Sequence, residues 1–100
     1  MLLLASTAII SIALEGGLAF FPGLSNPRQI NLATYSEVER KNIQSIINSV
    51  VPVAQNSVGR GDQRFYKIEI KTGNSKQTLL VPEQDATDDL KKLWEQAKPD

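Results

Sequence analysis

Residues 65–82 read FYKIEIKTGNSKQTLLVP, and this stretch decides how the chain folds. In FYKIEIK (65–71), apolar and charged residues alternate with the two-residue period of a strand that buries one face. The inward set is Tyr66, Ile68 and Ile70, and the outward set is Lys67, Glu69 and Lys71. The turn formers TGNS (72–75) follow, and KQTLLVP (76–82) is the partner strand. The stretch therefore predicts a β-hairpin with a tight turn.

Amphipathic helices are predicted on both sides of this hairpin. The last helix starts near Asp85 or Thr87, and its apolar face is Leu90, Leu93, Trp94 and Ala97. An earlier helix starts at Ser36, where Glu39 completes a capping-box pattern, and Pro52 closes it. Its apolar positions have the helical spacing of three, four and seven, and they are Ile43, Ile46, Ile47 and Val50.

The first half of the chain repeats the order of the second half. Residues 8–15 alternate as a strand, 16–28 are rich in glycine and proline, and 29–34 form a short strand. The first strands of the two halves align at an offset of about 57 residues, and the second strands align at an offset of 48. The connection between the two strands is therefore about nine residues longer in the first hairpin than in the second. Hairpins need only two to five loop residues, so the extra length calls for a reason.

This order predicts an α+β domain with the sequence ββαββα. We expect a mainly antiparallel sheet with both helices packed on one face. We expect one domain over residues 1–100, with an ordered core at 8–97 and a mobile N-terminal extension at 1–7. Whether the two hairpins join into one sheet is left open by the pattern.

Composition excludes several kinds of chemistry. Eleven basic and eleven acidic residues give a net charge of zero, which argues against nucleic-acid binding. The chain contains no cysteine and no histidine, so disulfides, thiolate and imidazole catalysis and the usual zinc ligands are absent. Asp85, Asp88 and Asp89 lie at an expected helix start, where acids favour the helix dipole. We therefore expect no enzyme activity, no cofactor and no metal site.

The N-terminal stretch MLLLASTAIISIAL (1–14) has two main interpretations, and interaction with lipid is a third. Ile10, Ile12 and Leu14 alternate with Ser11 and Ala13, which favours a half-buried strand and a cytoplasmic protein. The alternative is an atypical signal peptide and export, although no Lys or Arg precedes the apolar run. The run is too short to span a membrane, which needs about 20 apolar residues.

The segment EGGLAFFPGLSNPRQ (15–29) is the first candidate site. Aromatic residues among turn formers either cover the core or contact a partner. If one of Phe20 and Phe21 faces the core and the other faces outward, the pair does both. The polar connection QNSVGRGDQR (55–64) is a possible second contact patch. The predicted partner-binding residues are Glu15, Gly16, Gly17, Leu18, Phe20, Phe21, Pro22, Leu24, Arg60 and Asp62.

Several of these segments resemble a known family. The strand with its paired glycine, IALEGGLAFFPG (12–23), is followed by QINL (29–32), a helix, the pattern D-x-x-x-Y-x-I-x-I in DQRFYKIEI (62–70) and a final helix. This order is similar to the emfourin family of protein inhibitors of protealysin-like, thermolysin-type zinc metallopeptidases. Phe20 and Phe21 depart from the glycine-rich continuation that is more usual in that loop.

The resemblance implies a non-catalytic inhibitor that binds a thermolysin-type metallopeptidase tightly and without a covalent bond. Such enzymes have a deep cleft that favours large apolar side chains, and Leu18, Phe20, Phe21 or Leu24 on a pre-ordered loop would fill it. Glu15 would approach the zinc or a basic subsite of the enzyme. The free inhibitor is expected to be a monomer. The alternative is a general protein–protein interaction module unrelated to proteolysis.

Overall fold

A computed structural model describes residues 4–16, 27–55 and 64–99 of the chain. Its elements in chain order are strand β1 (Ile9–Gly16), strand β2 (Arg28–Asn31), helix α1 (Glu37–Val50), strand β3 (Arg64–Thr72), strand β4 (Ser75–Pro82), helix α2 (Asp88–Gln96) and strand β5 (Lys98–Pro99). Single turns of 3-10 helix lie at Leu32–Thr34, Val51–Val53 and Glu83–Asp85. The predicted α+β class and ββαββα order are confirmed, and the short β5 is an addition.

The two hairpins join into one antiparallel sheet. The strand order is β4-β3-β1-β2-β5, so β1 lies in the middle and pairs with both β2 and β3. Ile12 of β1 lies opposite Ile68 of β3, so residues from the two halves face each other in the same core. The question that the pattern left open is thus answered by the pairing of β1 with β3.

The core lies between the sheet and the two helices. Alternate strand residues point inward, and both helices contribute the faces that their spacing predicts. Burying each aliphatic side chain stabilises the fold by roughly 1.5–3 kcal/mol. The most deeply buried large side chains are Ile10, Ile12, Ile30, Leu32, Ile47, Val50, Ile68, Val81 and Leu90. Ile46 of α1 is only partly buried against this core.

Both helices begin at the residues that capping chemistry favours. The Ser36 Oγ accepts a hydrogen bond from the Glu39 backbone N–H at 3.2 Å, and the Glu39 carboxylate accepts one from the Ser36 backbone N–H at 3.4 Å, which completes the capping box. Thr87 caps α2, because its Oγ1 accepts from the Leu90 N–H at 3.1 Å. Asp85 lies in the preceding 3-10 turn, so Thr87 is the helix start.

Two predicted boundaries move by a few residues. The second strand ends at Asn31, whose side chain accepts a hydrogen bond from the Ala33 N–H at 3.1 Å and so starts a 3-10 turn. Helix α1 ends at Val50, and Pro52 lies in the 3-10 turn that follows. Short polar side chains near the backbone compete with strand and helix hydrogen bonds, which explains the first shift.

The N-terminal residues pack against the rest of the fold. The Leu4 backbone N–H donates to the Gln44 Oε1 on α1 at 2.8 Å, and the Leu4 side chain is partly buried on the core. β1 then runs as the strand that the alternation predicts. In the described ranges, neither helix combines the length and apolar character needed to cross a membrane.

Candidate functional site

The connections 17–27 and 56–63, which contain most of the predicted contact residues, both meet the sheet at the same end. β1 and β4 finish at this end and β2 and β3 begin there, so we call it the loop end. Gly16, the last residue of β1, lies directly opposite Arg64, the first residue of β3. The connection 17–27 leaves from the first of these positions, and the connection 56–63 arrives at the second. Two segments that are distant in the sequence therefore join the sheet on neighbouring strands.

Two of the ten predicted contact residues belong to the described ranges. Glu15 is half-buried in β1 opposite Phe65, and Gly16 ends the strand beside it. Glu15 lies on the open face of the sheet, because its neighbour Leu14 points into the core. The others lie outside the described residues, and their roles stay predictions: Gly17, Leu18, Phe20, Phe21, Pro22, Leu24, Arg60 and Asp62.

Arg64 fixes the start of β3 to the turn that follows β4. Its Nη2 lies 2.8 Å from the Glu83 Oε2, and its Nε donates to the Glu83 Oε1 at 3.0 Å. This fork geometry is specific, but both side chains are substantially exposed, at 44% and 32%. Exposed pairs of this kind stabilise a fold by about 0.2–1 kcal/mol. The end of the 56–63 connection is thus attached by a weak, solvent-accessible contact.

Arg28 makes the corresponding contact for the first connection, and it is more extensive. Its Nη1 donates to the backbone carbonyls of Trp94 at 2.8 Å and Glu95 at 3.2 Å, at the end of α2. The guanidinium carbon also lies 4.0 Å from the centre of the Trp94 ring. Trp94 in turn meets the Tyr66 ring edge-on, with ring centres 6.0 Å apart. Arg28 therefore links β2 to α2, and Trp94 extends the contact to β3.

Sequence reasoning did not single out Arg28, although one signal was present. In the strand RQIN, Ile30 points into the core, so the residue two positions earlier points the same way. A charged residue at an inward position needs a hydrogen-bond or ion-pair partner. A long side chain such as that of arginine can extend until its charged group reaches such a partner. The partner itself was not predictable, since Trp94 lies 66 residues further along the chain.

Two ionisable groups of the sheet have shifted pKa values. Burial, with a contribution from the nearby Glu83, raises the pKa of the Tyr66 phenol, so this group stays neutral at ordinary pH. On the open face, the Lys76 ammonium lies 2.5 Å from a Glu69 carboxylate oxygen. That hydrogen bond, assisted by the charges of Lys76, Lys67 and Lys71, lowers the pKa of Glu69.

The described residues offer no evident metal centre. Across residues 4–16, 27–55 and 64–99, no three carboxylates lie close enough together to hold an ion. Asp88 and Asp89 occupy the first turn of α2, where the helix dipole accounts for them. Over the same ranges, no acidic or basic side chain is buried.

These features are those of a small two-layer α+β binding domain with its longest connections at one end. Comparison with known proteins identifies the family: the Emfourin family model matches residues 12–98, and the chain belongs to the emfourin family. A solved relative is emfourin (M4in) from Serratia proteamaculans, described as an M4 family peptidase inhibitor. It is 34% identical, with 100% of this chain and 96% of that chain covered and a TM-score of 0.49. No protein with curated annotation gives a significant match.

Proposed function

We propose that this protein is a non-catalytic inhibitor of a thermolysin-type, M4 family metallopeptidase. Membership of the emfourin family supports the inhibitor role, and the relative from Serratia proteamaculans supports this class of target. The inventory of side chains agrees, since the chain has neither cysteine nor histidine. We infer that the inhibitor acts by surface complementarity alone, without a covalent step.

The pairing of Gly16 with Arg64 carries the proposal for the mechanism. Since the connections 17–27 and 56–63 join the sheet on neighbouring strands, a single enzyme surface can meet both. We propose that the first connection enters the active-site cleft with its apolar side chains, Leu18, Phe20, Phe21 and Leu24. Each such side chain that becomes buried contributes about 1.5–3 kcal/mol. Arg60 and Asp62 would contact the rim of the cleft.

Glu15 lies next to the last residue of β1, where the proposed contact segment begins. It lies half-buried on the open face beside Gly16, and no described side chain forms an ion pair with it. A carboxylate in this position favours a cationic partner. We propose that it approaches the zinc ion or a basic subsite of the enzyme.

Inhibition and its site are tested together by titrating a thermolysin-type peptidase with the purified protein. We expect activity to fall linearly to near zero at one inhibitor per enzyme. We also expect a small active-site ligand to compete with the inhibitor, since both would occupy the cleft. Inhibition without competition would contradict occlusion of the cleft. If no thermolysin-type enzyme is inhibited, the inhibitor proposal fails and a general interaction module remains.

We also propose that the free protein is a cytoplasmic monomer that keeps its N-terminal residues. β1 is the central strand, and its residues Ile10 and Ile12 are fully buried, so cleavage after residue 14 would remove the middle of the sheet. The described ranges expose only four large apolar side chains, those of Ile9, Val38, Val51 and Val53, and this small number favours a monomer. Intact mass and light scattering of protein from native cells test the N-terminus and the monomer, and cell fractionation tests the location. A form that begins after residue 14, or a dimer, would contradict the first two points.

A further inference from the structure

We propose that Arg28 is a positioning residue for inhibition, because it fixes the point at which the first connection re-enters the sheet. This inference rests on the proposed function, in which the connection 17–27 contacts the enzyme. Arg28 is the first residue of β2 and directly follows that connection. Its side chain sets where the end of the connection lies relative to α2.

The contact depends on a property of the end of α2. The last carbonyl groups of a helix lack partners within the helix and carry partial negative charge. The last turn of α2 contains no basic residue of its own. Arg28 supplies the positive charge from the neighbouring strand, and its donors reach the carbonyls of Trp94 and Glu95. The helix end and the strand start are therefore stabilised by one side chain.

Arginine suits this position better than lysine. Its planar guanidinium stacks on the Trp94 ring, with 4.0 Å between the guanidinium carbon and the ring centre, while its Nη1 donates to the two carbonyls. A lysine ammonium is a compact and strongly hydrated charge that cannot stack in this way. Arg28→Lys should keep the favourable charge near the helix end and lose the stacking.

Backbone pairing around Arg28 shows why the side chain has this influence. β2 is only four residues long, and Arg28 and Gln29 pair with β5, which is two residues long. β2 also pairs with β1 along its four residues, but Arg28 forms the last pair on that side, and the two-residue β5 adds few hydrogen bonds on the other. The other connection is held at Arg64 by an exposed ion pair with Glu83, a weaker attachment. The attachment of Arg28 is thus the stronger of the two at the loop end.

The effect on inhibition follows from the population of competent molecules. If the stem of the connection is held correctly in only about a tenth of free molecules, the apparent dissociation constant rises roughly ten-fold. Association slows for the same reason, because fewer encounters meet a competent surface. Arg28→Met, which keeps a long side chain against Trp94, is the sharpest variant, and Arg28→Lys is the conservative one.

A matched control is available at the other end of the same helix. Thr87→Ala removes the N-cap hydrogen bond to the Leu90 N–H and so destabilises α2 without removing a contact of Arg28. Inhibition by the three variants is compared at a temperature well below every unfolding midpoint. We expect Arg28→Met to weaken inhibition about ten-fold, mainly through slower association, and Arg28→Lys to be intermediate. Thr87→Ala should inhibit as the wild type does.

Two readouts on the free protein separate this inference from the proposed function. Trp94 is the only tryptophan, so its fluorescence reports directly on the stacked guanidinium. Amide hydrogen exchange should rise in β2 and β5 of Arg28→Met while β3 and β4 stay protected. If Arg28→Met inhibits like the wild type, or Thr87→Ala loses as much inhibition, the positioning role is wrong. If the wild type inhibits no thermolysin-type peptidase, the proposed function fails. If amide exchange in β2 is the same in Arg28→Met as in the wild type, Arg28 does not anchor β2, whatever the inhibition result.

Discussion

The two hairpins of this protein share one sheet and differ in how they turn. The second hairpin reverses direction with Gly73 and Asn74 alone, whereas the first uses the eleven residues 17–27, a difference of nine. The short turn shows that chain reversal in this fold needs only two residues. The composition of the longer connection is therefore free to serve another purpose, and it contains the paired phenylalanines.

The comparison also shows how unequally the strands contribute to the core. β1 of the first hairpin has neighbours on both sides, while β4 of the second hairpin has one full neighbour and a single bridge from Gln55 to Leu80. The first hairpin thus provides the central strand of the fold as well as the proposed contact segment. A change in β1 should affect folding, and a change in the connection should affect binding.

The largest expected effect on stability is that of Ile12→Ala. Ile12 is fully buried in β1 between Arg28 and Ile68, so truncation leaves a cavity and should lower the free energy of unfolding by about 2–5 kcal/mol. Leu79→Ala on the edge strand, where Leu79 is 9% exposed, should lower it less. Urea unfolding measures both. The contrast between central and edge strands would be wrong if the two losses were equal.

A control for that pair is Val38→Ala on α1. The Val38 side chain is 78% exposed, so its truncation should change stability by less than about 0.5 kcal/mol.

An intermediate effect is expected for Gly73→Ala in the short turn. Gly73 has φ of +58°, and a Cβ added there would meet no atom within 4 Å, so the substitution introduces backbone strain without a clash. We expect a loss of roughly 1–2 kcal/mol in thermal or urea unfolding. Asn tolerates this conformation better, so Gly73→Asn should lose less. Inhibition by both variants should match the wild type, and a weakened inhibitor would mean that the second hairpin takes part in binding.

A smaller effect than that of Gly73→Ala is the pH dependence that Glu69 adds to the second hairpin. The hydrogen bond from Lys76 lowers the pKa of the Glu69 carboxyl in the folded protein. Ionised Glu69 therefore stabilises the fold at a pH above the usual glutamate pKa near 4.3. This stabilisation is lost as the pH falls through the lower pKa of the folded state. Glu69→Gln should therefore cost about 0.2–1 kcal/mol at pH 7 and nearly nothing at the acid end of that window. Unfolding in urea across this pH range measures the difference. A difference that grows toward acid pH would contradict the sign.

Much of the architecture was predictable because its signals are local. The alternation in β3, the turn at Gly73 and the capping box of Ser36 and Glu39 each depend on residues within a few positions of one another. The N-cap at Thr87 was one of two candidates, and the structure decides between them.

The features that were not predictable depend on pairing across long stretches of chain. Periodicity does not specify that β1 pairs with β3, because either hairpin could bury its apolar face alone against a helix. β5 has two residues, too few to show any period. The contact between Arg28 and Trp94 requires the register of β2 and the position of α2 together. At the candidate site, the sequence predicts the two connections as contacts, which stays a prediction, and it does not single out Arg28.

The central claim is that the first hairpin's connection is the inhibitory surface and that the rest of the fold holds it. The most direct test replaces residues 18–24 with a short Gly-Ser turn, with the same Gly-Ser segment inserted between Gly73 and Asn74 as the matched control. We predict that the first variant folds and no longer inhibits a thermolysin-type peptidase, while the control still inhibits at one to one. A shortened variant that inhibits as well as the wild type would contradict the claim, and one that fails to fold would make this connection a cover for the core.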